Sequence, residues 1–273
     1  MRVLLTRNDI HNMLLKRAIK SEFSDQKVDV VEAPLLEQVL IVESVENLSD
    51  FLHDLQCEKN IDDVIFISPS AVEFGAKKIF ELLNLQRVFA VGKGTANMLE
   101  NQLRKMALSG NTTTSLEQAS SQPMPIIFPK QGAGSKALLA LAELQDIQHR
   151  QILIVTGAQG KPYLENELLK KGANVNRWEC YQRQKPTQLN MQLKTLFTEP
   201  LDYVLLHSVH AATHFLEEMP VDVSSDSIGA IVGAQTIADK LISSGWLGSV
   251  QIAVSPTPKD MLLCLKECTS TLR

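Results

Sequence analysis

Asp62-Asp63-Val64-Ile65-Phe66-Ile67-Ser68-Pro69-Ser70-Ala71 carries the fold in ten residues: an unbroken apolar run, then a serine and a proline that open a helical stretch. A run with no polar alternation suits a strand buried on both faces of a parallel sheet. Serine followed by proline is a helix start, with the serine as N-cap and the proline at the first helical position. The same grammar returns at Asp202-Tyr203-Val204-Leu205-Leu206-His207-Ser208-Val209-His210-Ala211, an offset of 140 residues. A second pair, Ala90-Val91-Gly92-Lys93-Gly94-Thr95 and Ile231-Val232-Gly233-Ala234-Gln235-Thr236, repeats at 141. Two matches in one order at nearly one offset indicate two similar units.

Working outward, further short apolar runs lie at Val3 to Leu5, Val28 to Val31, Ile126 to Phe128, Ile152 to Val155 and Ile252 to Val254. Stretches of helical periodicity lie between runs, among them Ala71 to Leu85, Thr95 to Leu108, Leu164 to Lys171 and Thr236 to Ser243. This alternation predicts the α/β class: two similar doubly wound parallel-sheet domains facing each other across a cleft. A length of 273 residues agrees with two domains at about 150 residues each.

Composition narrows the function. At 44% apolar and 21% charged, the chain reads as an ordinary globular protein. Its net charge of −4 argues against nonspecific nucleic-acid binding as the main task. The opening MRVLLTRNDI has too short an apolar run for a signal segment, and no stretch reaches membrane-spanning length. Four scattered cysteines, Cys57, Cys180, Cys264 and Cys268, do not form a disulfide framework and point to a reducing cytoplasm. Ser109 to Pro125 reads as a surface excursion. Gly157 to Pro162 reads as a loop whose two glycines permit positive φ and close backbone approach.

The candidate functional residues sit where strands end and helices begin: Ser68, Gly92, Lys93, Thr95, Ser208, Gly233, Gln235 and Thr236. At that edge of a parallel sheet, helix N-termini offer unpaired N–H groups and partial positive charge, which suit anions. Ser and Thr at such positions also serve as plain caps. Gly92-Lys93-Gly94 is not a dinucleotide fingerprint, since Asn97 stands where the third glycine would fall, and Gly157 to Pro162 lacks the spacing of a phosphate-binding loop. His207, His210 and His214 have helical spacing, but His207 closes a strand and no acid or cysteine adjoins the trio, so no metal site is assigned. Cys264 and Cys268 read as buried apolar residues. There is no nucleophile elbow. Trp178-Glu179-Cys180-Tyr181-Gln182-Arg183-Gln184-Lys185-Pro186 reads as a connector between domains, with the Tyr181 phenol able to donate a hydrogen bond or a proton.

Taken in order, these motifs resemble the uroporphyrinogen-III synthase family. The likeness runs through Val3-Leu4-Leu5-Thr6-Arg7, Ala33-Pro34-Leu35, Phe66-Ile67-Ser68, Val91-Gly92-Lys93-Gly94-Thr95, Ser135 to Leu139, Gly172-Ala173-Asn174-Val175 with Tyr181, Leu206-His207-Ser208, Val232-Gly233 with Thr236, and Ala253-Val254-Ser255-Pro256. The resemblance implies a flavodoxin-like architecture in which about 1–36 and 185–273 form one domain and about 42–178 the other. Connector strands near 33–42 and 179–186 would place Tyr181 on a hinge. It implies the cyclising dehydration of hydroxymethylbilane to uroporphyrinogen III with inversion of the terminal ring, by a cytoplasmic monomer without metal or organic cofactor. Arg7, Ser68, Gly92, Lys93, Thr95, Gly157, Ser208, Gly233, Gln235 and Thr236 would then hold the substrate's carboxylates, and Tyr181 would be the proton donor. A non-catalytic two-lobed binder of a small anion or tetrapyrrole is the alternative; a dinucleotide-dependent oxidoreductase is more distant.

Overall fold

A computed structural model describes residues 1–7, 10–54, 61–83, 85–108 and 125–270. Cys57 and nearly all of the Ser109 to Pro125 stretch lie outside them. The chain divides into two compact units, Met1–Glu37 with Gln184–Arg273, and Gln38–Arg183.

Numbered in chain order, the first unit holds β1 (Arg2–Leu5), α1 (Ile10–Glu22), β2 (Asp29–Glu32), α8 (Leu189–Leu196), β9 (Tyr203–Leu206), α9 (Val209–Glu218), β10 (Gly229–Val232), α10 (Gln235–Ser243), β11 (Val250–Ile252) and α11 (Pro258–Ser270). The second holds α2 (Val42–Glu46), α3 (Leu48–Asp54), β4 (Asp63–Phe66), α4 (Pro69–Leu82), β5 (Arg87–Ala90), α5 (Lys93–Leu108), β6 (Ile126–Ile127), α6 (Ser135–Leu139), β7 (Gln151–Gly157) and α7 (Tyr163–Lys170). The unit boundary falls inside β3 (Glu37–Leu40) and β8 (Asn174–Gln184), which are neighbours in the second unit's sheet.

The first sheet runs β11-β10-β9-β1-β2 and the second β3-β8-β7-β4-β5-β6. Pairings from β1 to β2 and β9, from β9 through β10 to β11, and from β8 through β7, β4 and β5 to β6 are parallel. In chain order the first sheet is the flavodoxin arrangement, 2-1-3-4-5. Placing β9 on β4 brings β10 onto β5, β11 onto β6, β1 onto β7 and β2 onto β8. Over these five strands the two sheets share one spatial order, and the first is a circular permutation of the second, which adds β3 at its edge.

Alternate strand residues divide each core into two layers. In the first unit Leu4, Val204, Leu206, Ala230 and Val232 face one way, and Val3, Leu5, Tyr203, Leu205 and Ile231 the other. In the second, Val64, Phe66, Val88, Leu153 and Val155 oppose Ile65, Phe89, Ile152 and Ile154. The repeated aspartates explain themselves as register clips. Asp62 accepts the backbone N–H of Gln151 at 2.8 Å, and Asp202 accepts that of Arg2 at 2.6 Å, each at the first residue of the neighbouring equivalent strand. Asp63 is fully buried, with Arg87 and Arg150 each donating two hydrogen bonds to its carboxylate at 2.6–3.0 Å.

Register also corrects the second repeat match. The N–H of Val91 donates to Phe66 O and that of Gly233 to Leu206 O, both at 3.1 Å. The structural equivalents are thus Val91 and Gly233, one residue out of step with the letter alignment that paired Gly92 with Gly233. α5 opens at Lys93 and α10 at Gln235, so Thr95 corresponds to buried Ile237, and Gly94 to Thr236. Thr95 is accordingly 3% exposed, whereas Thr236 lies on the surface.

Candidate functional site at the strand-end turns

In the second unit, Ser68 leaves β4 in extended conformation and caps α4, its Oγ accepting the Ala71 N–H at 3.0 Å. The same oxygen lies 3.1 Å from the hydroxyl of Tyr181, in a partly buried pair. The Tyr181 ring stacks on Phe74 of α4 at 5.7 Å and lies over Gly157, where an added Cβ would come 2.5 Å from the ring's Cζ. Ser68, Gly157 and Tyr181 are therefore one contact group, assembled from β4, β7 and β8. The adjoining turn carries Gly92, Lys93 and Thr95. Gly92 is buried beneath Ala133, whose Cβ would stand 3.1 Å from a Cβ at that position, while Lys93 is exposed.

On the strand β8 that crosses the boundary between the units at Arg183 and Gln184, Tyr181 is a core residue of this unit, 6% exposed. A β-bulge puts it there. Thr156 pairs with Glu179 but Gly157 pairs with Tyr181, so two steps on β8 face one on β7. Strict alternation would put Tyr181 on the face of Arg177 and Glu179; the extra residue turns it to the α4 side, so Trp178, Cys180 and Tyr181 are all buried. The loop glycines act by close approach alone. The positive φ in this loop belongs to Gln159, at 69°, and a Cβ on Gly160 would lie 2.8 Å from Nη2 of Arg177.

In the first unit, Thr6 directly follows β1 with its hydroxyl donating to Leu205 O at 2.6 Å, and half-buried Arg7 comes next. Ser208 caps α9 as Ser68 caps α4, accepting the Ala211 N–H at 3.1 Å. Gly233 faces Pro256, whose Cβ would be 2.7 Å from an added Cβ. α10 starts from Ala234 without a side-chain cap, and exposed Gln235 donates to Asp239 at 2.8 Å. Arg7, Ser208, Gly233, Gln235 and Thr236 thus belong to turns at one edge of this sheet.

The histidines do not form a ligand set: Nδ1 of His214 donates to Leu35 O at 2.8 Å, and among the described residues no three His, Cys, Asp or Glu side chains converge. Burial pushes the Cys180 thiol up to about 12 and that of Cys264 to about 11, which suits packed, protonated thiols. No helix among the described residues is long and apolar enough to cross a membrane. Sequence reading missed Arg177, which closes the 157–160 segment, and the bulge. The only signal for the bulge was the consecutive pair Cys180-Tyr181, two side chains of inward type where alternation allows one.

Two doubly wound units whose five equivalent parallel strands share one spatial order, each with a serine-capped and a glycine-bearing turn at its carboxyl edge, define a two-unit α/β protein. The family model described as uroporphyrinogen-III synthase HemD matches residues 17–262, and the chain belongs to that family. The uroporphyrinogen-III synthase of Proteus mirabilis is 41% identical over 58 residues, covering 21% of this chain and 29% of that protein. That of Escherichia coli K12 is 36% identical over 77 residues, covering 28% and 30%. The matched stretches span about three-tenths of the length of these relatives. Among solved structures, the uroporphyrinogen-III synthetase of Helicobacter pylori shares the fold at a TM-score of 0.53 and 14% identity, covering 100% of this chain and 99% of its own.

Proposed function

We propose that this protein closes hydroxymethylbilane to uroporphyrinogen III with inversion of the terminal ring, working as a cytoplasmic monomer. The observation that carries the reading is the phenol of Tyr181 held at the sheet's carboxyl edge by Ser68 and Gly157. Because Ser68 Oγ already accepts the Ala71 N–H, its own hydrogen can be donated to the Tyr181 oxygen, which frees the phenol's hydrogen for an outside acceptor.

In this reading Tyr181 gives that proton to the substrate's hydroxymethyl oxygen. The C–O bond breaks, water leaves, and the pyrrole chain's own electrons stabilise the resulting methylene cation, so neither a metal nor an organic cofactor is required. The terminal ring attacks through its substituted carbon and forms a spiro intermediate. That intermediate opens and recloses at the ring's free carbon, which loses its proton to the Tyr181 phenolate, leaving the net loss of one water. The strand-end turns bind the acetate and propionate groups through backbone N–H groups and helix N-termini, aided by Arg7 and Lys93. This local positive potential offsets a net charge of −4. Positioning decides which carbon bonds, since the free cation in water closes without inversion.

Freshly generated hydroxymethylbilane incubated with the protein, followed by chromatographic separation of the type III and type I products, tests this directly. Type III is expected; type I alone would overturn the reading. Tyr181→Phe should lower kcat about tenfold, below the roughly 100-fold or more typical of a lone essential acid, because positioning is shared. An unchanged kcat would remove Tyr181 from the acid role.

A further inference from the structure

We propose that Arg177 is a positioning residue that fixes the 157–160 segment beneath Tyr181 and thereby sets the regiochemistry of ring closure; this rests on the reaction proposed above. Nη2 of Arg177 donates to Gly160 O at 3.1 Å and to Gly157 O at 3.4 Å. Its Nε donates to Glu179 Oε1 at 3.0 Å, and Nη1 lies 3.9 Å from Glu165 Oε2 on α7. Two carboxylates thus orient and neutralise the guanidinium, leaving its planar edge for the two carbonyls. Gly160 has no Cβ where that edge passes, and its N–H donates back to Gly157 O at 3.3 Å.

The other side of the segment is tied to the tyrosine. Ala158 N–H donates to Tyr181 O at 2.8 Å, and the Tyr181 ring rests on Gly157. A segment gripped by Arg177 on one side and by the Tyr181 backbone and ring on the other transmits its position to the phenol. Lysine cannot reproduce this grip, because a single ammonium lacks the flat, forked donor edge.

The test uses R177A and R177K in the full chain, with three readouts. For R177A, kcat should fall several-fold, up to the roughly tenfold expected of Tyr181→Phe because the effect passes through that phenol, with KM within about twofold and a raised share of type I product. Guanidinium ion should restore part of the loss in R177A. Hydrogen exchange at the amides of Ala158 and Gly160 should accelerate in both variants, a readout that needs no turnover. If R177A does not fold, R177K carries the test with the same signs. Unchanged exchange at those amides, or wild-type kcat with a wild-type isomer ratio in a folded variant, overturns the proposal. Failure of the reaction proposal looks different: the unaltered protein would then make no type III product, while the exchange result would still decide the role of Arg177.

Discussion

A methyl group added at Gly157 would fall 2.5 Å from the Tyr181 Cζ, well inside van der Waals contact, and the ring is already backed by Phe74. Gly157→Ala must therefore displace the ring or the strand end. The expected cost is about 1–3 kcal/mol of stability from overpacking, and a fall in kcat larger than that of Tyr181→Phe, because both the phenol and its seat move. Thermal melts and steady-state rates on the two variants check the order. Cys180 tells a complementary story. Its thiol sits within 3.6 Å of Thr156 O and burial holds its pKa near about 12, above the ordinary thiol range. For an acid whose folded pKa is raised, the native state keeps the proton longer, so this group costs stability only as pH rises above the unfolded thiol value of ~8.5. Native protein should resist alkylation at Cys180 at pH 8, as read by peptide mass mapping, and should become reactive there on unfolding.

Helix starts separate two threonines that look alike in sequence. Thr95 is the third residue of α5 and faces the core, whereas Thr236, the second residue of uncapped α10, lies exposed. Thr236→Ala should raise KM several-fold while melting and kcat stay near wild type; Thr95→Ala should do the reverse, lowering stability by about 1 kcal/mol. Strand-turn-helix order was legible because buried parallel strands lack polar alternation and because Ser68 and Ser208 are true caps. The one-residue slip between the Gly92 and Gly233 turns was not legible, since matching glycines outweighed a register fixed only by pairing with β4 and β9. Nor was the placement of Tyr181. A basic run ending in Pro186 reads as a connector, and the bulge that buries the tyrosine exists only through its pairing with Gly157.

Over the whole molecule, each unit carries its own two-layered core, and the buried Asp63 cluster belongs to one of them. Asp63→Ala leaves Arg87 and Arg150 without their shared partner. Since both guanidiniums are about a quarter exposed and can rehydrate, the expected loss is about 3 kcal/mol, the lower end for a broken buried pair. Hydrogen exchange should show the lost protection confined to residues 38–183; uniform loss along the chain would contradict independent cores.

The permuted strand order also dictates a sequence of events on the ribosome. β1 sits between β2 and β9, so one of its two edges stays unpaired until residue 206 has emerged, long after β1 itself. Residues 38–183 complete their sheet from consecutive strands in the meantime. During synthesis the apolar Val3-Leu4-Leu5 edge must wait for a partner some 200 residues downstream, an interval in which chaperone cover would keep that edge from mispairing.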